Sequence, residues 1–303
     1  MLVYTHPECL GHDPGPGHPE CPARLAAVTE ALRAGLPALE WREAPLAERS
    51  RIEAVHDAAL VARVLGAEGR PLRIDADTMM SPGSTRAALR ACGAGIAAVD
   101  AVLAGETRRA FCAVRPPGHH ATADTAMGFC LFNAIAVAAR HALDRRGLAR
   151  VAIVDFDVHH GNGTQAIFEH EPRVLYLGSH QHPLYPGTGE PGDGQLHAHH
   201  ANAALAPGEG SVPFRRAWSE TLLPALEAFA PELVMVSAGF DGHRLDPLAD
   251  LCLEADDYRW LSQQLAACAD RHARGRLVSL LEGGYSLAAL RECSVAHLAG
   301  LGD

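Results

Sequence analysis

Two aspartates and a histidine stand close together in the segment VAIVDFDVHHGNG, which begins at Val151. Asp155, Asp157 and His159 are each two residues apart, and residues two apart in an extended chain point to the same side. We therefore expect these three side chains to converge. Two carboxylates beside a neutral imidazole suit a divalent cation, and oxygen and nitrogen ligands without a thiolate are typical of a catalytic metal.

A further aspartate, Asp241 in the segment AGFDGH, follows a different predicted strand and could complete a set of three ligands. Three protein ligands leave one coordination position open for water, as a catalytic zinc ion requires. The alternative is that these aspartates cap helices or turns. The agreement between separate segments favours the metal site.

Two more segments carry side chains suited to acid–base chemistry. His119 and His120 are adjacent in the loop PPGHHA, and an irregular loop can direct two adjacent rings at one site. Tyr285 follows two glycines in EGGYS, which let the chain pass close to a metal, and its phenol could donate a hydrogen bond to a developing oxyanion. The alternatives are two histidines in a surface loop and a tyrosine that packs in the core.

These segments follow short β-branched runs that alternate with alanine-rich stretches, a pattern that predicts βαβ units and a mainly parallel sheet. The predicted strands cover residues 110–115, 151–156, 174–178, 233–238 and 277–281. The predicted helices cover residues 85–103, 133–145, 214–229, 255–274 and 287–298. Parallel α/β sheets bind ligands beyond the carboxyl ends of their strands. Four of these predicted strands lead directly into one of the segments above, which indicates a single active site at that edge.

Composition excludes several other classes of protein. The chain has 303 residues, 48% of them hydrophobic, which fits one α/β domain spanning residues 1–303. The net charge is −10 and every basic residue is arginine, so direct binding to nucleic acid is not expected. No run of about 18 apolar residues predicts a membrane helix, and the N-terminus does not resemble a secretory signal. The eight cysteines form no C-x-x-C pair, which is typical of reduced thiols in the cytoplasm.

The ordered set of motifs resembles the histone deacetylase family, which also includes acetylpolyamine amidohydrolases and acetoin-utilisation proteins. The motifs are PPGHHA (116–121), DFDVHHGNG (155–163), AGFDGH (238–243) and EGGYS (282–286), and the likeness begins at HDPGPGHPE near residue 12. The resemblance implies the arginase–deacetylase fold, a three-layer α/β/α sandwich with a mainly parallel sheet. It also implies a zinc-dependent hydrolase that removes an acetyl group from an acetylated lysine or another acetylated amine.

The resemblance further implies which residues bind the metal and move protons. Zinc would be held by Asp157, His159 and Asp241. His120 would serve as general base and then as general acid, and His119 would assist it electrostatically. Iron or cobalt could occupy the same set of oxygen and nitrogen ligands.

Each of these histidine rings needs a partner that fixes its tautomer. By the resemblance, Asp155 is the partner of His119 and Asn162 is the partner of His120. The second position is aspartate in class I members and commonly asparagine in class II members, so the chain resembles the class II branch. Tyr285 would be the donor to the oxyanion.

The family holds acyl-lysine in a narrow aromatic tunnel. Gly128 and Phe129 match one wall of this tunnel, and Tyr185 matches the opposite wall, where two rings would grip an apolar linker. Asp77 is a candidate for binding the substrate backbone at the rim, with a turn-forming aspartate as the alternative. Leu248 stands where polyamine-specific relatives can carry a carboxylate, and it therefore favours acyl-lysine or a plain acetyl-amine.

The resemblance also implies a structural potassium ion, which a serine hydroxyl helps to bind near the zinc. Here Gly178 stands at that position. The site could rest on backbone carbonyls and Asp155, or Ser179 could supply the hydroxyl through a shift in register.

Two rival functions stay open at this stage, an amidohydrolase of acetylpolyamines or other small molecules and a non-catalytic protein that binds an acylated ligand. The oligomeric state is open as well. GTGEPG (187–192) is not interpreted as a nucleotide-binding loop, because it follows a proline-rich turn rather than a strand. HAHH (197–200) is interpreted as a solvated loop rather than as a metal site.

Overall fold

The computed structural model describes residues 1–190 and 199–302. The predictions for GTGEPG and HAHH therefore fall partly outside the described residues, at positions 191–192 and 197–198.

A parallel sheet forms the centre of the protein. The strands in the described residues are β1 (Leu2–Thr5), β2 (Glu40–Glu43), β3 (Leu72–Arg73), β4 (Met79–Met80), β5 (Arg109–Cys112), β6 (Val151–Asp155), β7 (Val174–Gln181), β8 (His200–Leu205), β9 (Leu233–Ala238) and β10 (Leu277–Leu281). Eight of them form one sheet in the order β2-β1-β5-β10-β9-β6-β7-β8. Every neighbouring pair in this sheet is parallel, whereas β3 and β4 form a separate antiparallel ribbon.

Helices cover both faces of this sheet. The α-helices in the described residues are α1 (Pro22–Gly35), α2 (Arg49–Ile52), α3 (Ala58–Leu65), α4 (Ser84–Ala104), α5 (Ala134–Asp144), α6 (Asn162–Phe168), α7 (Ser211–Ala217), α8 (Leu223–Phe229), α9 (Ala255–His272) and α10 (Leu287–Leu301). On one face, α4 packs against β1, β5 and β10, and α5 packs beside α4 against β6 and β9. On the other face, α9 packs against β9 and α10, and α10 packs against α1. The expected three-layer α/β/α sandwich is confirmed.

Burial explains the sequence pattern of the central strands. All residues of β6, β9 and β10 are buried, as strands must be when helices cover both faces of a parallel sheet. Small residues let the helices approach closely: a Cβ added at Gly95 in α4 would lie 3.0 Å from Ala138 in α5. This packing fixes the carboxyl ends of β5, β6, β9 and β10 beside one another.

The elements predicted from the sequence are present with shifted ends. The strand predicted at 110–115 runs from Arg109 to Cys112, so the chain leaves the sheet earlier than expected. The helix predicted at 214–229 begins at Ser211 and contains a π-helical turn, Trp218–Leu222, between α7 and α8. Pro224 lies just after this turn and has no N–H to donate. Strand β1 and the two edge strands, β2 and β8, were not predicted. β1 and β2 have only four residues each, and β2 contains a single apolar residue, Trp41.

Among the described residues, α4 is long and apolar enough to cross a membrane by length and composition. No such helix was expected from the sequence, because no run of about 18 apolar residues is present. Arg86, Arg90 and Asp100 interrupt this segment. Core helices of globular proteins pass the same test, and 61% of the most apolar window of α4 is buried inside the structure.

Candidate active site

Asp157, His159 and Asp241 meet beyond the carboxyl ends of β6 and β9. One donor atom from each lies within 4.8 Å of the other two. His159 Nδ1 is 3.1 Å from Asp157 Oδ1 and 3.2 Å from Asp241 Oδ2. All three side chains are almost completely buried. These are the three residues predicted as metal ligands, and the fold brings them together.

Backbone groups and glycines shape this cluster. Gly283 N donates to Asp157 Oδ2 at 2.8 Å, and Val158 N donates to Asp241 Oδ1 at 2.9 Å. These bonds leave the other oxygen of each carboxylate directed at His159. A Cβ at Gly239 would overlap the Asp157 carboxylate, and one at Gly283 would overlap both carboxylates. Gly283 is therefore required, because only a glycine lets the chain pass this close to the two carboxylates.

A turn, rather than an extended strand, directs these side chains. Asp155, Asp157 and His159 were expected to lie in one extended segment with a common direction, and that prediction is wrong. β6 ends at Asp155, and a turn follows in which Asp157 N donates to Asp155 Oδ1 at 3.1 Å. Asp155 therefore contacts His119 Nδ1, whereas Asp157 and Asp241 both contact His159 Nδ1.

Two other groups in the described residues have donor atoms close enough for a metal. One consists of Glu227, Cys268 and His272, but the Glu227 carboxylate is already paired with Arg271. The other is centred on His243, whose Nδ1 accepts a hydrogen bond from Leu245 N at 3.2 Å. A neutral ring with an accepting Nδ1 carries its proton on Nε2, the atom that would have to bind the metal. The group of Asp157, His159 and Asp241 is therefore the best candidate.

The two adjacent histidines lie beside the cluster, each with its own partner. His119 Nδ1 is 3.0 Å from Asp155 Oδ2, and His120 Nδ1 is 2.8 Å from Asn162 Oδ1. Their ring centroids are 4.0 Å apart, and the His120 ring centroid is 5.9 Å from that of His159. Both rings are buried, so the alternative of two surface histidines does not hold.

The two histidines differ in proton affinity. Burial lowers the pKa of His119, but the carboxylates of Asp157 and Asp155 outweigh burial and hold that pKa well above its usual value. Burial, together with the positive charge on His119, holds the pKa of His120 well below its usual value. The arrangement therefore pairs a protonated ring with a neutral ring that can accept a proton.

Tyr285 is held from two sides. Its N–H donates to Asp246 Oδ2 at 2.6 Å, and the guanidinium of Arg24 lies 4.8 Å from the centroid of its ring. Burial raises the pKa of the Tyr285 phenol well above its usual value, so the group keeps its proton and remains a donor. Burial also raises the pKa of Asp246 to about 6.

A cavity of about 210 Å³ leads from the surface to these groups. Its lining includes His120, His159, Tyr285 and the five residues named from the sequence as substrate contacts: Asp77, Gly128, Phe129, Tyr185 and Leu248. The ring of Tyr185 stands edge-on to His120 with centroids 5.1 Å apart. The ring centroids of Phe129 and Tyr285 are 5.8 Å apart. The walls are therefore aromatic, as the sequence analysis expected.

Gly128 separates two of these rings. Its φ is +56°, and an added Cβ would lie 2.5 Å from His120 Cδ2 and 2.9 Å from Tyr185 Cε1. Both the backbone conformation and the space therefore require glycine. Phe129, which follows, also has a positive φ of 66°.

At the mouth of the cavity, the turn-forming aspartate is Asp75 rather than Asp77. Asp75 Oδ1 accepts from Asp77 N at 3.0 Å and from Thr78 N at 2.6 Å. Asp77 is exposed, lines the cavity and accepts a hydrogen bond from the Thr78 hydroxyl at 3.1 Å. Leu248 also lines the cavity, as a half-buried apolar residue whose N–H donates to Asp246 Oδ1 at 3.1 Å.

The suggested replacement of a potassium ligand by Ser179 does not fit the register. β6 and β7 pair Asp155 with Gly178, so Ser179 faces the opposite side of the sheet. There Ser179 Oγ accepts a hydrogen bond from Trp218 Nε1 at 3.1 Å. The hydroxyl of Tyr176 lies 3.4 Å from Asp155 Oδ2, and an added Cβ at Gly178 would approach that hydroxyl to 2.9 Å.

Several buried residues around the site were missed from the sequence. Glu282 accepts hydrogen bonds from Gly118 N at 2.6 Å and His119 N at 3.2 Å, and so fixes the loop that carries the two histidines. Burial raises the pKa of Glu282 to about 7. Asp246 and Arg24 fix the turn that carries Tyr285. These residues lie within or beside the motifs, but only their contacts reveal what they hold.

Comparisons with known proteins agree with this fold. Residues 18–301 match the family model described as histone deacetylase domain. The chain is 42% identical to a histone deacetylase-like amidohydrolase of Pseudomonas aeruginosa, covering 96% of this chain and 77% of the relative. It is 39% identical to a probable deacetylase of Archaeoglobus fulgidus, covering 94% of this chain and 81% of the relative. The crystal structure titled HDA15 HD domain superposes with a TM-score of 0.93 at 33% identity, covering 100% of this chain and 88% of that chain.

The parallel sheet with its buried cluster of aspartates and histidines defines an arginase–deacetylase fold. The chain belongs to the histone deacetylase family, whose named relatives here are deacetylases and an amidohydrolase.

Proposed function

We propose that the protein is a zinc-dependent deacetylase that hydrolyses the amide of an acetylated lysine or a similar linear acetyl-amine. The observation that supports this most strongly is the cavity of about 210 Å³, which is lined by His120, His159 and Tyr285. Its floor combines metal-binding, proton-accepting and hydrogen-bond-donating groups, and its walls are apolar. A protein that only bound an acylated ligand would need no donor for an oxyanion.

The donor set fits zinc. Asp157, His159 and Asp241 offer two carboxylates and one imidazole within 4.8 Å, which leaves room for water and substrate as further ligands. The close packing of Gly239 and Gly283 against the two carboxylates fixes the directions of their oxygens. When bound there, zinc would lower the pKa of a water molecule and polarise the acetyl carbonyl.

His120 is the proposed general base. Its Nδ1 faces Asn162 Oδ1 at 2.8 Å, which places the proton of the neutral ring on Nδ1 and leaves Nε2 free to accept one. The low pKa of His120 keeps this ring neutral near pH 7. After accepting the proton of the attacking water, the ring can pass it to the departing amine. His119, held protonated by Asp155 and Asp157, stabilises negative charge beside it.

Tyr285 is the proposed donor to the oxyanion. Its phenol keeps its proton because burial raises its pKa, and its backbone is fixed by Asp246. Donors already in position cost no reorganisation when negative charge develops, and removal of one costs about 3–4 kcal/mol at comparable sites.

The aromatic walls support a linear substrate. Phe129 and Tyr185 line the cavity with Gly128 between Tyr185 and His120, so a straight apolar chain fits between the rings. Leu248 adds an apolar contact near the mouth and offers no charge to a second amine. We therefore propose acetyl-lysine in a peptide or protein over acetylpolyamines.

The test is acetate release by purified protein of measured zinc content. The expected result is faster release from an acetyl-lysine peptide than from N-acetylspermidine, with loss of activity after chelation and recovery on adding zinc. Asp241→Asn is a suitable control, since it replaces an anionic metal ligand by a neutral amide of the same size and so weakens metal binding. Faster turnover of N-acetylspermidine would assign the protein to polyamine substrates. Absence of acetate release from every acyl-amine by zinc-loaded protein would contradict the proposed function.

A further inference from the structure

One buried carboxylate, that of Glu20 just before α1, lies between two buried guanidinium groups. Arg115 binds it at two points, with Nε 2.7 Å from Oε1 and Nη2 2.6 Å from Oε2. Arg24 Nη1 donates to Oε1 at 3.0 Å, and His12 Nε2 lies 3.1 Å from Oε2. The side chains of Glu20, Arg24 and Arg115 are at most 1% exposed. This cluster is separate from the metal-binding group.

Arg115 connects the carboxylate to the loop that carries the histidine pair. It directly precedes Pro116, the first residue of PPGHHA. Besides its bonds to Glu20, Arg115 donates through Nη1 to the carbonyl oxygens of Cys9 and His12, both at 2.8 Å. A guanidinium held by a two-point ion pair and two carbonyls has one orientation. The start of the histidine loop is therefore fixed to Glu20.

Arg24 connects the same carboxylate to the turn that carries Tyr285. Its Nε donates to the carbonyl of Gly284 at 2.5 Å, and its Nη2 donates to the carbonyl of Glu282 at 2.6 Å. Its guanidinium carbon lies 4.8 Å from the centroid of the Tyr285 ring. One side chain therefore holds two carbonyls of the turn and one face of the aromatic ring.

We propose that Glu20 is a positioning residue that links the histidine loop to the Tyr285 turn and so fixes the general base and the oxyanion donor in one relative geometry. This inference rests on the proposed function. The carboxylate screens two buried cations from each other, and loss of its charge leaves both guanidiniums without their shared partner. Arg24 would then shift, and the Tyr285 phenol would shift with it.

The test is a double-mutant cycle between Glu20→Gln and Tyr285→Phe. Glutamine keeps the size of the side chain and removes its charge. We expect Glu20→Gln to lower kcat at least tenfold with KM within threefold and with zinc content unchanged. In the Tyr285→Phe background, the same substitution should lower kcat less than threefold, because the phenol that it displaces is already absent.

A second readout does not depend on turnover. A fluorescent aliphatic hydroxamate binds zinc through its two oxygens and can accept a hydrogen bond from Tyr285. We expect Glu20→Gln to weaken its binding at least fivefold when Tyr285 is present and less than twofold in Tyr285→Phe. If the wild-type protein binds zinc and the hydroxamate but releases no acetate, the proposed function fails while this cycle still decides the role of Glu20.

Asp257 provides a matched control. Its side chain is fully buried and its Oδ1 pairs with Arg215 Nε at 2.7 Å, but it lies at the start of α9, away from the cavity. Asp257→Asn should lower the melting temperature. It should leave kcat unchanged when the rate is normalised to the amount of zinc-bound protein. Glu20→Asp, which keeps the charge but shortens the side chain, serves if Glu20→Gln does not fold, with the same non-additive pattern expected.

Equal effects of the Glu20 substitution with and without the Tyr285 phenol, in kcat and in hydroxamate binding, would overturn the proposal. The same holds if activity falls only in proportion to the loss of folded, zinc-bound protein, as for Asp257→Asn. In either case Glu20 would stabilise the fold without setting the geometry of the site.

Discussion

His120 Nδ1 lies 2.8 Å from the amide oxygen of Asn162, whereas the neighbouring His119 Nδ1 lies 3.0 Å from a carboxylate oxygen of Asp155. Two adjacent rings thus have partners of different charge. Burial holds the pKa of His120 well below its usual value, and its hydrogen bond with the neutral Asn162 does not offset this, whereas the carboxylates of Asp157 and Asp155 outweigh burial and hold the pKa of His119 well above its usual value. This asymmetry separates the ring that accepts a proton from the ring that keeps one.

Asn162→Asp should therefore change the pH dependence of catalysis. A carboxylate beside His120 stabilises the imidazolium and raises the pKa of the ring. Because the base must be neutral, activity rises as His120 loses its proton, and the acidic limb of kcat/KM should move to higher pH. A pH–rate profile of wild type and variant checks this, with zinc content measured at each pH. An acidic limb that stays in place would show that another group limits the rate there.

Gly128→Ala should block the site. The added Cβ meets His120 Cδ2 at 2.5 Å and requires φ of +56°, so either the ring or the loop must move. We expect kcat/KM to fall by about two orders of magnitude, since small misplacements of reacting groups have effects of that size.

Gly105→Ala is the matched control for this substitution. Gly105 also has a positive φ, +76°, but an added Cβ would meet no atom within 4 Å. It should cost about 1 kcal/mol of stability and leave kcat/KM unchanged. Similar activity losses in both variants would mean that backbone strain, rather than the crowding of His120, accounts for the effect.

Leu248→Glu should alter substrate preference. The side chain lines the cavity together with Asp77, so a carboxylate there would attract the second cationic amine of a polyamine. The ratio of kcat/KM for N-acetylspermidine to that for an acetyl-lysine peptide should rise about tenfold, equivalent to about 1.4 kcal/mol. Leu248→Gln, which has the same size without the charge, should leave the ratio within about twofold. An equal ratio in both variants would mean that charge at this position does not select the substrate.

The sequence predicted the parallel sheet well because the central strands are buried on both faces and consist of apolar runs. β9 and β10 run from Leu233 to Ala238 and from Leu277 to Leu281, the predicted bounds. The edge strand β2 was missed because its segment EWRE is largely polar and partly exposed. Such a strand is defined by its pairing with β1, which lies far away in the chain.

The site was predictable to the extent that its residues stand in motifs that follow central strands. Asp157, His159 and Asp241 meet as expected, although a turn rather than an extended strand directs the first two. Glu20 and Arg24 were not predicted, because their contacts join distant parts of the chain. Arg24 and Gly284, for example, are 260 residues apart in the sequence. No local sequence pattern can predict a contact between residues so far apart in the chain.

His297 should make folding sensitive to acid. Its ring is buried between Ser262 Oγ at 2.6 Å and Ser279 Oγ at 2.8 Å, and burial lowers its pKa to about 3. In the unfolded chain the pKa of His297 is about 6.5. Between about pH 6.5 and 3, the unfolded state therefore binds more protons at this residue than the folded state does. The free energy of unfolding should fall in that window as the pH decreases.

His297→Gln should reduce this pH dependence, and urea unfolding at pH 5 and pH 7 measures it. The difference in the free energy of unfolding between the two pH values should be smaller by about 2 kcal/mol than in the wild type. His170→Gln, at an exposed position, should leave the difference unchanged. If His297→Gln keeps the full pH dependence, the buried ring is not its source.

Tyr285→Phe gives the most direct test of the proposed mechanism, because it removes a single hydroxyl and leaves the metal-binding group and the histidine pair in place. The measurement is kcat for an acetyl-lysine peptide at saturating substrate, normalised to bound zinc. We predict a fall of about 100-fold or more with little change in KM, as expected for a donor that acts on the oxyanion of the transition state. A variant with wild-type kcat and full zinc content would contradict the assignment of Tyr285 and the mechanism built on it.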